Sequence, residues 1–232
     1  MLVGEHLHLD VPGEHNVFNA TAAVSLATAI GVPWPDAISG IGAYRGVGRR
    51  YETRGEAGGV AFIDDYAHNP EKVVAALATA RSGGWSRVVA VFQPHRYSRT
   101  EALWREFGPA LGRADVLIVT GIYSAGEPAR PGVSGSLIAG AVRESKPDID
   151  VRYVETLDEA EAELRSVLRP GDVCLTMGAG DVTSLASRFL GGAGAREAGA
   201  RGEGPGDAPK RGAADAPEAA EAAEAAEETA AG

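Results

Sequence analysis

The protein has 232 residues, of which 44% are hydrophobic and 23% are charged, and this composition is typical of a soluble globular chain with one or two domains. Its net charge of −10 and its single cysteine, Cys174, argue against a nucleic-acid or membrane-surface binder, a disulfide framework and a cysteine metal cluster. The apolar runs are too short to span a bilayer, and residues 1–6 lack the basic start of a signal peptide, so a cytoplasmic location is expected.

The predicted elements begin with an isolated strand and two helices. Residues 2–11 alternate between apolar and polar, which predicts one strand. Residues 16–30 have apolar side chains at helical spacing and are followed by Gly31 and Pro33, so a helix is predicted there. A second, short helix is predicted over 36–44.

From residue 59 onward, short apolar segments alternate with helical ones. Strands are predicted at 60–64, 87–92, 115–120, 151–154 and 172–177. Helices are predicted at 71–80, 99–111, 134–144, 157–168 and 181–190. This alternation predicts an α/β fold, in which a doubly wound, mostly parallel sheet is covered by helices on both faces.

The last segment, residues 191–232, differs from the rest of the chain. It has four basic and nine acidic residues and no aromatic one. Such a segment cannot bury enough apolar surface to offset the entropy of ordering, so we predict a disordered acidic tail. A solubilising role is favoured over a specific docking helix, because the acidic residues recur without an apolar stripe.

Polar clusters follow three of the predicted strands, at the edge where a doubly wound sheet binds its ligands. They are residues 64–70 (DDYAHNP), 93–99 (QPHRYSR) and 178–181 (GAGD). A fourth polar segment, 13–19 (GEHNVFN), opens the first helix.

The first cluster offers several kinds of chemistry. Asp64 is expected either to cap the helix that begins near Pro70 or to support the site from behind. Asp65 is expected to act directly, on a metal or on sugar hydroxyls, and Tyr66 offers a stacking face. His68 could transfer a proton, contact a phosphate or be an ordinary loop histidine.

The second cluster points to anion binding. Arg96 and Arg99 lie three residues apart where a helix opens, so both guanidinium groups can converge on one carboxylate or phosphate beside His95. The third cluster lacks the last glycine of a dinucleotide fingerprint, and we predict a tight turn with Asp181 as helix N-cap.

Other polar segments leave their alternatives open. Asn16 and Asn19 share a helical face and could bind a purine edge, or could be cap and surface residues. Residues 49–52 are interpreted as a basic linker. None of the three lysines precedes Ser or Thr, so the sequence contains no Walker A loop, and it contains no GxSxG or HExxH motif.

In combination, these segments resemble the Mur ligase family. Residues 13–20 are similar to its G-x-H-N-x-x-N segment, 46–52 (GVGRRYE) to G-V-x-R-R-F-E, and 64–70 to D-D-Y-G-H-H-P. Residues 92–100 (FQPHRYSRT) match F-Q-P-H-R-Y-[ST]-R-T, and 123–134 resemble an alanine-adding member. Each motif alone is weak, but five in the right order make the resemblance specific.

The resemblance implies a domain organisation. The family has a UDP-sugar-binding domain, a central ATPase domain and a Rossmann-like third domain. Residues 1–55 would be a strand–helix remnant of the central domain, 56–190 the Rossmann-like domain and 191–232 the tail. The P-loop, the Mg²⁺ ligands and most of the UDP-sugar site would lie in the N-terminal and central domains, supplied in cis or in trans.

The resemblance also implies an activity. The whole enzyme would use ATP and Mg²⁺ to add L-alanine to UDP-N-acetylmuramate through an acyl phosphate, a step of peptidoglycan precursor synthesis on which cell-wall biogenesis, cell shape and cell division depend. This chain alone would be inactive. Neither a nucleic acid nor a membrane is an expected partner.

The same resemblance implies residue roles at the nucleotide. Asn16 and Asn19 would face adenine, Arg50 would contact the nucleotide, Asp65 would hold the ribose hydroxyls, and Tyr66 would lie near adenine.

For the acceptor, the resemblance implies a second set of residues. His95, Arg96 and Arg99 would bind L-alanine, and His68 would lie near the ATP phosphates. His68, Arg96 and Arg99 are the implied catalytic residues, and no metal ligand is expected within this chain. A cationic fork also suits this substrate chemically, because the carboxylate must be held for the amine to be oriented.

Two alternatives remain at this point. The sequence of residues 65–68 (DYAH) is also similar to the corresponding segment of the ligase that adds the third residue of the peptide, whereas residues 92–100 favour the alanine-adding ligase. The chain could instead belong to a murein-tripeptide recycling ligase, or be a non-catalytic module that binds a nucleotide or an amino acid.

Overall fold

The computed structural model of the protein describes residues 8–191. The predicted acidic tail, from residue 192 onward, lies outside the described residues, as does the first part of the predicted strand over 2–11. Residues 8–11 of that segment form no strand, so this part of the prediction is wrong.

Seven α-helices and six strands make up the described part of the chain. The helices are α1 Glu14–Ala29, α2 Trp34–Gly42, α3 Pro70–Ser82, α4 Tyr97–Leu111, α5 Gly135–Ser145, α6 Leu157–Val167 and α7 Ser184–Leu190, the last preceded by a 3₁₀ turn at Asp181–Thr183. The strands are β1 Glu52–Ala57, β2 Val60–Asp65, β3 Arg87–Phe92, β4 Val116–Val119, β5 Asp150–Tyr153 and β6 Asp172–Met177. All five predicted strands are confirmed to within one residue at each end.

The six strands form one sheet in the order β1-β2-β6-β3-β4-β5. Strands β2 to β6 are parallel, and β1 pairs antiparallel with β2 at the edge. The predicted α/β class is therefore confirmed. Strand β1 was not predicted because its residues (ETRGEA) are mostly polar. This composition is typical of an edge strand that is only half buried.

Helices cover both faces of the sheet. On β3, Val88, Ala90 and Phe92 belong to one apolar cluster, and Val89 and Val91 belong to the other. The first cluster takes its helical side chains from α3, α4 and α5, and the second takes them from α6 and α7. Because every second residue points to the same face, a strand buried on both faces is a continuous apolar run.

Helices α1 and α2 are packed much more loosely. In α1 only Ala20 and Val24 are buried, and α2 has no buried residue. Phe18 is 67% exposed and Ile30 76% exposed, although an amphipathic helix normally buries such side chains. No helix within residues 8–191 is long and apolar enough to cross a membrane.

The burial of Cys174 leads to a test of the core. Burial, with a smaller effect from the Asp172 charge, raises the pKa of this thiol to about 12. Because the thiolate is the reactive form, we expect Cys174 in the native chain to resist iodoacetamide at pH 8. Mass spectrometry would detect the adduct, with chain unfolded in guanidinium chloride as the control. Labelling of the native chain at the rate of the unfolded one would contradict the burial.

Candidate functional site

The carboxyl ends of β2, β6 and β3 lie side by side. Met177 pairs with Asp65 of β2 on one side and with Phe92 of β3 on the other. The three polar clusters that follow these strands are therefore brought together at one edge of the sheet, as the sequence predicted.

Arg49 lies at the centre of this edge rather than in a basic linker, so that interpretation was wrong. Its Nε donates to Oδ2 of the buried Asp64 at 3.1 Å. Its two Nη atoms donate to the carbonyls of Gly178, Ala179 and Gly180 at 2.7–3.3 Å. One guanidinium thus joins the segment before β1 to the ends of β2 and β6.

Asp64 supports the site from behind and does not cap a helix. Its Oδ1 accepts from Thr176 Oγ1 at 2.6 Å, and its Oδ2 accepts from Arg49. The N-cap of α3 is Asn69, whose Oδ1 accepts from the backbone N–H of Lys72 at 2.9 Å. Of the two alternatives given for Asp64, the capping one is wrong.

Asp65 fixes the backbone on both sides of the site. Its Oδ2 accepts from the N–H of Tyr51, and its Oδ1 accepts from the N–H of Ala67, both at 2.8 Å. Burial raises the pKa of this carboxyl, although the two backbone hydrogen bonds oppose the shift.

A cavity of about 540 Å³ opens beside Asp65. Asn16, Asn19 and Arg50 also line it, so four of the residues expected at a nucleotide lie on one cavity of the size that suits a small molecule. Tyr44 lines the same cavity and was not among the sequence-based candidates.

The amide of Asn16 has an additional structural role. Its Nδ2 donates to the carbonyl of Pro12 at 2.6 Å, at the start of α1. Asn19, one turn further along the helix, is exposed.

Tyr66 connects this cavity to the histidines. The guanidinium carbons of Arg49 and Arg50 lie 5.0 Å and 5.7 Å from its ring centre, and the ring meets His68 edge-on at 5.2 Å. The ring centres of His68 and His95 are 6.0 Å apart. A continuous series of contacts therefore runs from Arg50 to His95.

The two histidines have different proton positions. Nδ1 of His68 lies 2.8 Å from the carbonyl of Tyr66, which can only accept, so this nitrogen donates and Nε2 is the acceptor of the neutral ring. Nδ1 of His95 lies 3.0 Å from Nη1 of Arg99, which can only donate, so here Nδ1 accepts. The neutral ring of His95 therefore carries its proton on Nε2.

Helix α4 begins at Tyr97, two residues earlier than predicted. Arg96 immediately precedes it in a left-handed conformation, with φ 69°, and Arg99 lies in its first turn beside His95. The structure thus brings His68, His95 and Arg99 into one series of contacts and puts Arg96 next to it in the chain.

The turn after β6 differs in one respect from the prediction. Gly180, not Asp181, occupies the N-cap position, and Oδ1 of Asp181 accepts instead from Nε2 of Gln93 at 2.7 Å. Gly178 has φ 151°, and a Cβ there would lie 2.9 Å from the carbonyl of Gln93. Glycine is therefore needed at residue 178, where this turn packs against Gln93 just after the end of β3.

Glu127 lies against the start of α4 from the loop after β4. Its Oε2 accepts from the N–H of Ser98 at 2.9 Å, and its Oε1 accepts from the Ser98 hydroxyl. These hydrogen bonds, the hydroxyl first, hold the pKa of Glu127 below its ordinary value. Its carboxylate thereby satisfies an N–H of the first turn, as a capping residue would.

Comparison with known proteins identifies the family. The model of the Mur ligase family for the glutamate ligase domain matches residues 49–180. The chain belongs to the Mur ligase family. The similarity covers β1 to β6 and the strand edge from Arg49 to Gly180.

Individual relatives agree with this assignment. The chain is 48% identical over 187 residues to the UDP-N-acetylmuramate–L-alanine ligase of Nitratidesulfovibrio vulgaris, covering 80% of this chain and 41% of that protein. For the ligase of the same name from Rubrobacter xylanophilus, the identity is 44% over 184 residues, with 78% and 41% covered. The crystal structure of the UDP-N-acetylmuramate-alanine ligase of Thermotoga maritima is 30% identical, with a TM-score of 0.67 over 81% of this chain and 40% of that one.

The chain spans about two fifths of the length of these Mur ligases. Within residues 8–191, no group of three or more His, Cys, Asp or Glu side chains is arranged to hold a metal ion.

Several residues of the candidate site were missed by sequence reasoning. Arg49, Gln93 and Glu127 all lie within the family-like segments, which was the available signal. Their partners are 15 to 131 residues away in the chain, so the spacing of residues in the sequence could not reveal the contacts.

Replacing Arg49 tests the central ion pair. Because Arg49→Ala would leave the Asp64 carboxylate buried without its cation, we expect the free energy of unfolding to fall by about 3 kcal/mol. Arg45→Ala is the matched control: Arg45 pairs with Asp10 on the surface, where a loss of at most about 1 kcal/mol is expected. Urea unfolding measures both, and equal losses would argue against the assigned role of Arg49.

The Glu127–Ser98 pair predicts a pH dependence. Because the pKa of Glu127 is lowered in the folded chain, its contribution to stability is present above its ordinary pKa of 4.5 and is lost as the pH falls through the folded value. We expect Ser98→Ala to reduce the free energy of unfolding by about 1 kcal/mol at pH 7. Urea titrations at several pH values should show this difference shrinking below pH 4.5; a constant difference would contradict the pairing.

Proposed function

We propose that this chain is the C-terminal part of an ATP-dependent ligase that joins L-alanine to UDP-N-acetylmuramate. The observation that carries the proposal is the series of contacts along one sheet edge, from the cavity lined by Arg50, through Tyr66 and His68, to His95 and Arg99. A nucleotide and an amino acid bound at the two ends would lie next to each other.

The cavity is the proposed nucleotide site. Asn16 and Asn19 offer amides to the adenine edge, and Asp65 offers carboxylate oxygens to the ribose hydroxyls. Arg50 and Tyr66 supply a cation and an aromatic face beside them. These groups would bind the adenine and ribose of the nucleotide. Binding of the triphosphate requires a Walker A loop, which the sequence does not contain.

The histidine–arginine cluster is the proposed acceptor site. Arg96 and Arg99 hold the carboxylate of L-alanine, and Nε2 of His95 carries a proton that it donates to the same group. Nε2 of His68 accepts the proton that the alanine ammonium loses. The amine nitrogen then forms its bond to the acyl-phosphate carbonyl carbon, the carbon–oxygen bond to phosphate breaks, and inorganic phosphate leaves with the second proton that the nitrogen loses.

The remaining parts of the machinery belong to the rest of the ligase. The P-loop lysine and the ligands of Mg²⁺, which neutralises phosphate charge during the transfer, are expected in the central domain, whose remnant we assign to residues 1–55. An enzyme with these substrates works in the cytoplasm.

The exposed apolar side chains of α1 are the proposed contact with that central domain. Phe18 and Leu26 of α1, and Ile30 directly after it, are each more than 60% exposed within the described chain. Exposed apolar surface of this kind marks an interface, and the relatives have more than half of their length in parts that this chain does not match. We expect this face to be covered when the two parts are joined or mixed.

The function can be tested by supplying the missing part. The N-terminal part of the Nitratidesulfovibrio vulgaris ligase, ending where this chain begins to match, would be mixed with the full chain. Phosphate release that depends on ATP, UDP-N-acetylmuramate and L-alanine is the expected result, with none from the chain alone. Comparison of L-alanine with the murein tripeptide as acceptor distinguishes the recycling ligase.

Arg99→Lys tests the acceptor site within that assay. Losing the guanidinium fork should lower kcat/KM for L-alanine about 10- to 100-fold, as expected for a hydrogen bond to a charged group. Arg105→Lys is the control, because Arg105 lies on the same helix and stacks on Trp104. If Arg99→Lys and Arg105→Lys retain the same activity, the acceptor assignment is wrong.

A further inference from the structure

The loop after β4 contains an aromatic residue that the proposed function does not use. Tyr123 lies within the YSAGE segment and is 40% exposed, although it stands among buried residues of the strand edge. An exposed ring at a ligand-binding edge can limit which ligands bind there only if neighbouring residues fix its position.

The backbone of Tyr123 is tied to the acceptor segment. Its N–H donates to the carbonyl of Pro94, and its carbonyl accepts from the N–H of Arg96, both at 2.8 Å. These bonds form an isolated parallel bridge between His95 and Tyr123. The position of Tyr123 relative to His95 and Arg96 is therefore fixed by main-chain contacts.

The ring of Tyr123 packs closely against His95 and Gly180. It stacks on the His95 ring with 5.7 Å between the centres and 10° between the planes. Behind it lies Gly180, where an added Cβ would be 2.5 Å from Cγ of Tyr123 and 2.5 Å from Oε1 of Gln93. The ring fits only because residue 180 has no side chain, and it cannot move back into that space.

We propose that Tyr123 is a specificity-determining residue of the acceptor site, whose ring limits the acceptor to an amino acid with a small side chain. This inference rests on the proposed function. An amino acid whose carboxylate lies on Arg99 is next to His95, since Arg99 contacts Nδ1 of that ring at 3.0 Å. The Tyr123 ring stacks on the His95 ring, and the centre of the His68 ring lies 6.0 Å from the centre of the His95 ring.

The side chain of the bound amino acid must therefore pass along the edge of the Tyr123 ring. A methyl group can contact that edge, whereas a longer side chain requires the ring to move. Because the ring packs against Gly180, and Gly180 in turn lies against Gln93, such a movement would disturb the turn after β6. Apolar walls discriminate by about 10- to 200-fold per methylene or methyl group, so a fixed ring is sufficient to separate alanine from leucine.

The test measures amino-acid binding by the full chain. Histidine rings labelled with ¹³C would report binding of L-alanine and L-leucine by NMR, and signals would be assigned with His68→Gln and His95→Gln. The wild-type chain is expected to bind L-alanine at least tenfold more tightly than L-leucine. Tyr123→Ala should reduce this ratio at least fivefold by improving L-leucine binding, whereas Tyr123→Phe, which keeps the ring, should retain it.

Control variants and outcomes separate the inference from the function. Trp85→Ala removes an equally exposed aromatic ring that precedes β3 rather than following a strand, and it should leave the ratio unchanged. If Tyr123→Ala does not fold, Tyr123→Leu replaces it in the same comparison. A wild-type preference for alanine that survives the loss of the ring overturns the role of Tyr123 and leaves the proposed function standing. A wild-type chain that binds neither amino acid overturns the acceptor site and with it the role of Tyr123, whereas the proposed function is overturned only if the mixture with the N-terminal part also shows no turnover.

Discussion

A buried charge at the end of β2 determines how the strand edge is organised. The side chain of Asp64 is fully buried, and a carboxylate in that position requires a cation and hydrogen-bond donors. Arg49 supplies the cation and Thr176 a hydroxyl. Because Arg49 also donates to three carbonyls after β6, neutralising one carboxylate fixes the segment before β1 and the turn after β6 at the same time.

The functional candidates are held by this arrangement. Arg50 follows Arg49 directly, and the N–H of Tyr51 donates to Asp65, so the segment that crosses the edge brings a second cation to the cavity. The carbonyl of Arg49 accepts from the N–H of Tyr66 at 2.6 Å. Asp64 and Asp65 thus have different tasks despite their adjacency, since one is buried behind the site and the other lines the cavity.

The parts of the structure that the sequence predicted are those with a local signal. Strands β2, β3 and β6 are buried on both faces and so are continuous apolar runs. Because these strands are parallel and adjacent in the sheet, the segments that follow β2 and β3, residues 64–70 and 93–99, lie at the same edge. Strand β1 could not be predicted because an edge strand with one weakly buried face has no such run. The roles of Arg49 and Glu127 could not be predicted because their partners are distant in the sequence. The capping role of Asn69 could not be predicted because Asp64 was an equally good candidate for the cap of α3.

Under the proposed function, the groups along the strand edge would bind two of the reactants, and other domains would supply the rest of the active site. The proposed nucleotide cavity is connected to the proposed acceptor cluster through Tyr66 and His68, which follow β2, although residues 11–50 supply much of the cavity wall. The distance from Asp65 to the acceptor cluster is therefore set by the spacing of the strands, whereas the shape of the cavity also depends on how residues 11–50 pack. Under the proposed function, the acid is held by the N-terminal part of the ligase, and the exposed apolar side chains of α1 are close in sequence to that part. In this arrangement, domain closure would bring the acid and the phosphate-binding groups to an acceptor cluster whose residues already lie together at one sheet edge.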